Sequence, residues 1–199
     1  MKKALVKLAA FILCVSIAFI GAGPVFAVDF FADEELYIAN MLEDDVYAGG
    51  GLVSVEEDII GDLYIAGGSL TINGNITGDL VIAGGQVTIN GDVSDDIRVA
   101  GGSIVINGNV GDDLIATGGQ LNIGAETLIG GTLVVGNGYA NIMGSVNEDI
   151  IGGGGKIVIG GTVYGNVMLE VQDTVVLTEN ASINGNLIYT SLREAELNE

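Results

Sequence analysis

Residues 61–77 read GDLYIAGGSLTINGNIT, residues 78–94 GDLVIAGGQVTINGDVS and residues 95–111 DDIRVAGGSIVINGNVG; the three segments align without a gap. A repeat of this kind decides the fold before any local propensity does, because each unit must bury its apolar side against its neighbours. The register extends in both directions. Units begin at Asp44, Gly61, Gly78, Asp95, Asp112, Gly131, Glu148, Gly165 and Gly185, with steps of 17, 17, 17, 17, 19, 17, 17 and 20 residues. Half a unit, Leu36 to Ile38 and then Leu42, precedes the first, so the repeat runs from residue 36 to 190.

Inside a unit the apolar residues hold fixed offsets: Leu63 and Ile65, Leu70 and Ile72, Ile76, then Leu80 of the next unit. The Leu-x-Ile alternation is that of a strand with one face buried. Gly and Asn separate these pairs, at Ala66-Gly67-Gly68-Ser69, Asn73-Gly74-Asn75 and Thr77-Gly78-Asp79. Both residues tolerate positive φ and so permit sharp corners. The expected fold is therefore all-β: a single-stranded parallel β-helix of about nine coils, each with three short strands and three corners. Strands stacked about 4.8 Å apart make a rod on the order of 40 Å long. Inward spacings of 2, 5, 2, 4 and 4 differ from the even six-residue spacing of left-handed hexapeptide helices. With the general preference of parallel crossovers, this favours right-handed coiling. Extra residues are expected only at corners: around residues 124–127 and 129–132 in one unit, and 170–174 and 178–182 in another.

The flanks read differently. Lys2, Lys3 and Lys7, an apolar run from Leu8 to Ala22, and Pro24 before Val25-Phe26-Ala27 have the form of a signal peptide cleaved after Ala27. An uncleaved anchor is the competing reading, since the run is nearly long enough to span a bilayer. Residues 28–35 are expected to lead in to the first coil and cap it, and residues 191–199 to form an acidic tail. Cys14, the only cysteine, lies in the apolar run after Leu13, so the mature chain is expected to lack thiol chemistry and lipidation.

Charge narrows the partners. The chain has 26 acidic and six basic residues and no His. After the leader only Arg98, Lys156 and Arg193 are basic. Nucleic acid is not an expected partner, because phosphate contacts need clustered cations. Catalytic readings find little footing: acyltransferase helices need a His, and pectin-cleaving helices need basic residues in a groove. No cofactor is expected, since no phosphate loop occurs and no helix follows the Gly-Gly pairs.

Two columns of the repeat are candidate sites. Asp45, Asp62, Asp79, Asp96, Asp113 and Asp149 share one position in successive coils. They read either as a carboxylate ladder for a hard cation or as solvated corner caps on backbone amides. Caps are favoured, because the G-G-x-G-x-D pattern of calcium-binding β-rolls is missing. The outward middle residue of the first strand reads Tyr47, Tyr64, Val81, Arg98, Ile115, Val134, Ile151, Met168 and Ile188. This apolar stripe is either an assembly or docking face or the product of β-propensity alone. Asn73, Asn90 and Asn107 also stack, which corner chemistry explains.

Leu/Val-x-Ile strands with Asn-Gly and Gly-Asp corners resemble the bactofilins, bacterial polymer-forming cytoskeletal proteins. The likeness is greatest to an exported branch with Asp-Leu-x-Ile-Ala-Gly-Gly-x-Val-Thr-Ile-Asn-Gly units behind a signal sequence. The resemblance covers most of the mature chain and is carried by the repeat pattern. It implies a right-handed β-helix, nucleotide-independent end-to-end self-assembly, and association with the membrane or cell envelope. Typical bactofilins are cytoplasmic, whereas this chain carries an export signal. The expected function is a self-assembling envelope scaffold and not an enzyme; a non-polymerising adhesion or partner-binding solenoid is the alternative. The expected location is the envelope, the cell surface or outside the cell.

Overall fold

Leu63, Ile65, Leu70, Ile72 and Ile76 are all buried, at 3% exposure or less, and their counterparts in neighbouring coils are buried with them. They form one continuous apolar core along the axis of a parallel β-solenoid of ten turns. Burying one such side chain contributes about 1.5–3 kcal/mol. The computed structural model describes residues 28–197. The proposed leader at residues 1–27 lies outside these described residues.

The first five strands are β1 (Val28–Ile38), β2 (Asp45–Val55), β3 (Leu63–Ile72), β4 (Leu80–Ile89) and β5 (Ile97–Ile106). Next come β6 (Leu114–Ile123), β7 (Leu128–Ile129), β8 (Leu133–Ile142), β9 (Ser145–Val146), β10 (Ile150–Ile159) and β11 (Thr162–Val163). The last are β12 (Val167–Val171), β13 (Val175–Leu177), β14 (Ser182–Ile183), β15 (Leu187–Thr190) and β16 (Glu196–Leu197). Every pairing is parallel, and no helix occurs among the described residues. The long strands stack in the order β1-β2-β3-β4-β5-β6-β8-β10-β12-β15. The third side of each coil is a column of single bridges, Leu42–Ile59–Ile76–Val93–Val110–Ile129, continued by the short sheet β7-β9-β11-β14.

Four sequence expectations need correction. First, Ala66-Gly67-Gly68-Ser69 does not separate two strands. Pairing runs through it (Ala66 with Ala83, Gly67 with Gly84, Ser69 with Gln86) and skips one position, Gly68. Ten residues thus form one bent strand, because the backbone bonds that hold this corner go to the neighbouring coils. Second, residues 28–35 are not a cap before the first coil. They belong to β1, in full register with β2 from Val28–Asp45 to Ile38–Val55. Third, the C-terminal tail is partly in the sheet, since Val176 pairs with Glu196 and Leu177 with Leu197. With β1 counted, the rod has about ten turns. Fourth, the two extra residues of the Asp112 unit enter at one corner. The offset is 17 at Ile106–Ile123 and already 19 at Val110–Ile129, which places both between Ile123 and Ile129. In the Gly165 unit the extra residues do divide between two corners. The offset rises from 17 at Gly154–Val171 to 18 at Ile157–Val175 and 20 at Thr162–Ser182.

Glycine at the Asn-Gly corner has a different cause from the one its type suggests. Among the described glycines only Gly61, Gly118 and Gly152 take positive φ (145°, 150° and 133°). At Gly74, Gly91 and Gly108 the reason is the coil beneath: a Cβ would stand 2.0 Å from the carbonyl oxygen of Glu57, Gly74 or Gly91. The corner amides bond to that coil as well. Asn73 N and Gly74 N both donate to the Val55 carbonyl, at 2.7 and 3.2 Å.

Candidate functional site

The first side of the coil carries both predicted columns, because residues 62 and 64 flank the inward Leu63 and point the other way. The acidic column is a hydrogen-bond ladder. Oδ1 of Asp45 accepts the Asp62 amide (3.0 Å), Asp62 that of Asp79 (2.9 Å), Asp79 that of Asp96 (3.2 Å) and Asp96 that of Asp113 (3.0 Å). Asp113 accepts from Thr132 (2.7 Å), and Asp149 from Asn166 (2.6 Å), whose own Oδ1 accepts the Asn186 amide (3.1 Å). Each side chain therefore satisfies an amide one coil further on. The partner is not in its own corner, as a local cap would require.

Asp79 and Asp96 also hold a cation, Arg98. The Arg98 guanidinium bridges their Oδ2 atoms at 3.0 and 2.6 Å, with both groups partly exposed. Its charge offsets part of the repulsion between these two rungs. Asp95, Asp96 and Asp112 bring carboxylate oxygens within 4.8 Å of one another. Partial desolvation, and then the charges of Asp113, Asp96, Asp95 and Glu148, raise the Asp112 carboxyl above its usual range.

The apolar stripe is a true register column. Tyr47 pairs with Tyr64, then Val81, Arg98, Ile115, Val134, Ile151, Met168 and Ile188 follow rung by rung. By backbone register Phe30 stands opposite Tyr47, one coil earlier. The rings of Tyr47 and Tyr64 stack with centroids 4.6 Å apart and planes 9° from parallel. The Tyr64 hydroxyl donates to Asp62 Oδ2 at 3.2 Å. Desolvation and the charge of Asp62 push that phenol well above its usual range. Tyr47, Tyr64, Val81 and Val134 are half-buried along the face, Ile115, Ile151 and Met168 are exposed at 36–41%, and Ile188 at the C-terminal end reaches 60%.

The asparagine column forms a chain of amides on the outer surface. Asn107 Nδ2 donates to Asn90 Oδ1 (2.8 Å), Asn90 to Asn73 (2.8 Å) and Asn73 to Glu56 (2.9 Å). Hydrogen bonds from Ser54 and Asn73 hold the Glu56 carboxyl below its usual range. A further ladder on the third side escaped the sequence reading. Oδ1 of Asp58, Asn75, Asp92 and Asn109 accepts the amide of Asn75, Asp92, Asn109 and Leu128 in turn, at 2.7–2.9 Å. Its signal was present in the sequence as an Asp/Asn column at 17-residue spacing.

Two shallow open grooves of about 460 and 880 Å³ lie elsewhere, the first along Glu35, Tyr37 and Leu52, the second along Gly152–Gly154 and Glu170. Each has one carboxylate among its lining residues. The chain matches no protein-family model, no curated protein and no solved structure.

Proposed function

We propose that this protein is a structural, self-associating rod of the bacterial cell envelope, of the exported bactofilin-like kind, working without catalysis or cofactor. The supporting observation is the sheet itself. β1 and β15 are its two outermost long strands, and every step between them is parallel and in register. A second copy placed end to end repeats the same step, and an unpaired strand edge is the usual route to such association. Ile188, Leu192 and Leu197 at the β15–β16 end are strongly exposed (60%, 87% and 71%), which adds apolar area to that contact. The N-terminal run of lysines and apolar residues supports export.

Acidic rods repel one another, so assembly is expected to strengthen as salt shortens the Debye length. Electron microscopy of the purified mature protein at low and physiological salt tests the reading: filaments that lengthen with salt support it. Monodisperse rods at both concentrations support the second reading, a non-polymerising partner-binding solenoid, which the exposed stripe favours. Val81→Lys with Ile151→Lys separates the two surfaces. End-to-end filaments should persist in this variant while lateral or envelope association falls; unchanged association removes the stripe from the function.

A further inference from the structure

The chain contains five Asn-Gly pairs, at residues 73–74, 90–91, 107–108, 137–138 and 184–185. This dipeptide can cyclise when the glycine nitrogen reaches the asparagine side-chain carbon, which requires both groups to be accessible and free to move. The fold withholds one or both at four of the pairs. Gly74, Gly91 and Gly108 are buried between coils, with their amides directed at the Val55, Ile72 and Ile89 carbonyls. The side chains of Asn73, Asn90 and Asn107 are tied into the surface amide chain. Asn137 is itself buried (2% exposed), its amide lying between the Ala116 carbonyl at 2.9 Å and the Gly118 nitrogen at 3.1 Å.

Asn184–Gly185 combines an exposed glycine with an unbonded asparagine side chain, although its glycine amide is hydrogen-bonded to the preceding coil as at the Asn73, Asn90 and Asn107 corners. Both residues are exposed, and among the described residues the Asn184 side chain has no hydrogen bond. The pair follows β14, the edge strand of the short sheet, and its backbone amides bond only to the coil before it, at Val163 (2.9 Å) and Gly165 (3.1 Å). An edge with neighbours on one side opens far more readily than the interior of a stack.

We infer that Asn184–Gly185 is a spontaneous modification site, at which the side-chain amide becomes a carboxylate. The Gly185 nitrogen attacks Cγ of Asn184, and a C–N bond forms. The bond to the side-chain nitrogen breaks, and ammonia leaves with the proton that the Gly185 amide gives up. Water then opens the resulting succinimide at either carbonyl, giving aspartate or isoaspartate. No oxidant or cofactor enters the balance. Each event adds one negative charge to the last turn of the rod, and the isoaspartate product lengthens the main chain by one methylene.

The test is incubation of the purified protein at neutral pH, followed by cleavage after Asp and Glu and mass spectrometry. This cleavage places residues 73, 90, 107, 137 and 184 in separate peptides. In the folded protein the peptide holding Asn184 should gain the mass of one deamidation, or be newly cut after residue 184 where the product is aspartate, at least about ten times faster than the other four react, as edge opening against interior opening implies. In urea all five should react at similar rates. Asn184→Gln, which cannot close the same five-membered ring, should abolish the fast event without altering the melting temperature. Equal rates at all five sites in the folded protein, or a fast event that survives Asn184→Gln, would overturn the assignment.

Discussion

Replacing Asp62 by two different neutral residues separates the roles its carboxylate plays. Its Oδ1 accepts the Asp79 amide at 2.9 Å, and its column neighbours are Asp45 and Asp79. Strands stacked about 4.8 Å apart put like charges at that spacing, worth about 0.9 kcal/mol per pair in bulk water. Screening at physiological salt roughly halves this. Arg98 offsets part of the share from Asp79, so losing the charge should gain about 0.5–1 kcal/mol. Asparagine keeps the accepting oxygen, as Asn166 does in the same column. Alanine removes it and leaves the half-buried amide without its partner, at a cost of about 1–2 kcal/mol. Both variants also lose the charged acceptor of the Tyr64 hydroxyl, which offsets that gain, so Asp62→Asn should stay close to the parent and Asp62→Ala should be weaker. The two variants should differ by about 1–2 kcal/mol, or about 2–4 °C in melting temperature for each kcal/mol. Thermal melts with calcium and with a chelator measure both effects. If the asparagine variant melts with the alanine variant, the hydrogen-bond ladder is not what holds these corners. If calcium raises the parent's melting temperature and neither variant's, the column is a cation site after all.

Two other perturbations test the packing and the charge. Gly91→Ala drives a Cβ to 2.0 Å from the Gly74 carbonyl and should cost several kcal/mol, whereas Gly136→Ala meets nothing nearer than Thr117 Oγ1 at 3.3 Å and should stay within about 1 kcal/mol of the parent; urea midpoints compare them. The Asp112 carboxyl is raised in the folded state, so its ionisation opposes folding: the penalty is absent below the unfolded pKa and is fully present once pH exceeds the folded one. Asp112→Asn should accordingly raise the melting temperature at neutral pH and leave it unchanged near pH ~3, and a pH-independent gain would place the effect in packing.

The core was legible in the sequence because a parallel solenoid repeats its inward residues at constant offsets. Leu63, Ile65, Leu70, Ile72 and Ile76 could be assigned without any knowledge of the coil's shape. What stayed hidden depends on the neighbouring coil and not on the chain's own order. Gly67-Gly68 looks like a break, yet the pairing on either side carries the strand through it. Val28 to Glu35 lack the Gly-Gly signature, but β2 supplies a complete edge on which they pair. The acidic column was visible as a column, whereas its bonding partner, an amide 17 or 19 residues on, belongs to another coil. A reading that follows one chain locally gives a corner cap where the structure has a ladder. The apolar stripe was equally visible, but which of its members are half-buried and which exposed depends on packing along the whole face.

The corner insertions have a consequence for how such a chain varies. Two residues added between Ile123 and Ile129, and three added across the Gly165 unit, leave the strands on either side in parallel register. Reach and decoration are consequently set by separate operations on the sequence. Gaining or losing a whole 17-residue unit alters the span in fixed increments of one strand spacing. Lengthening a corner changes what protrudes at that height and leaves the span untouched. The protein is in this sense a ruler whose markings can be rewritten without altering its scale.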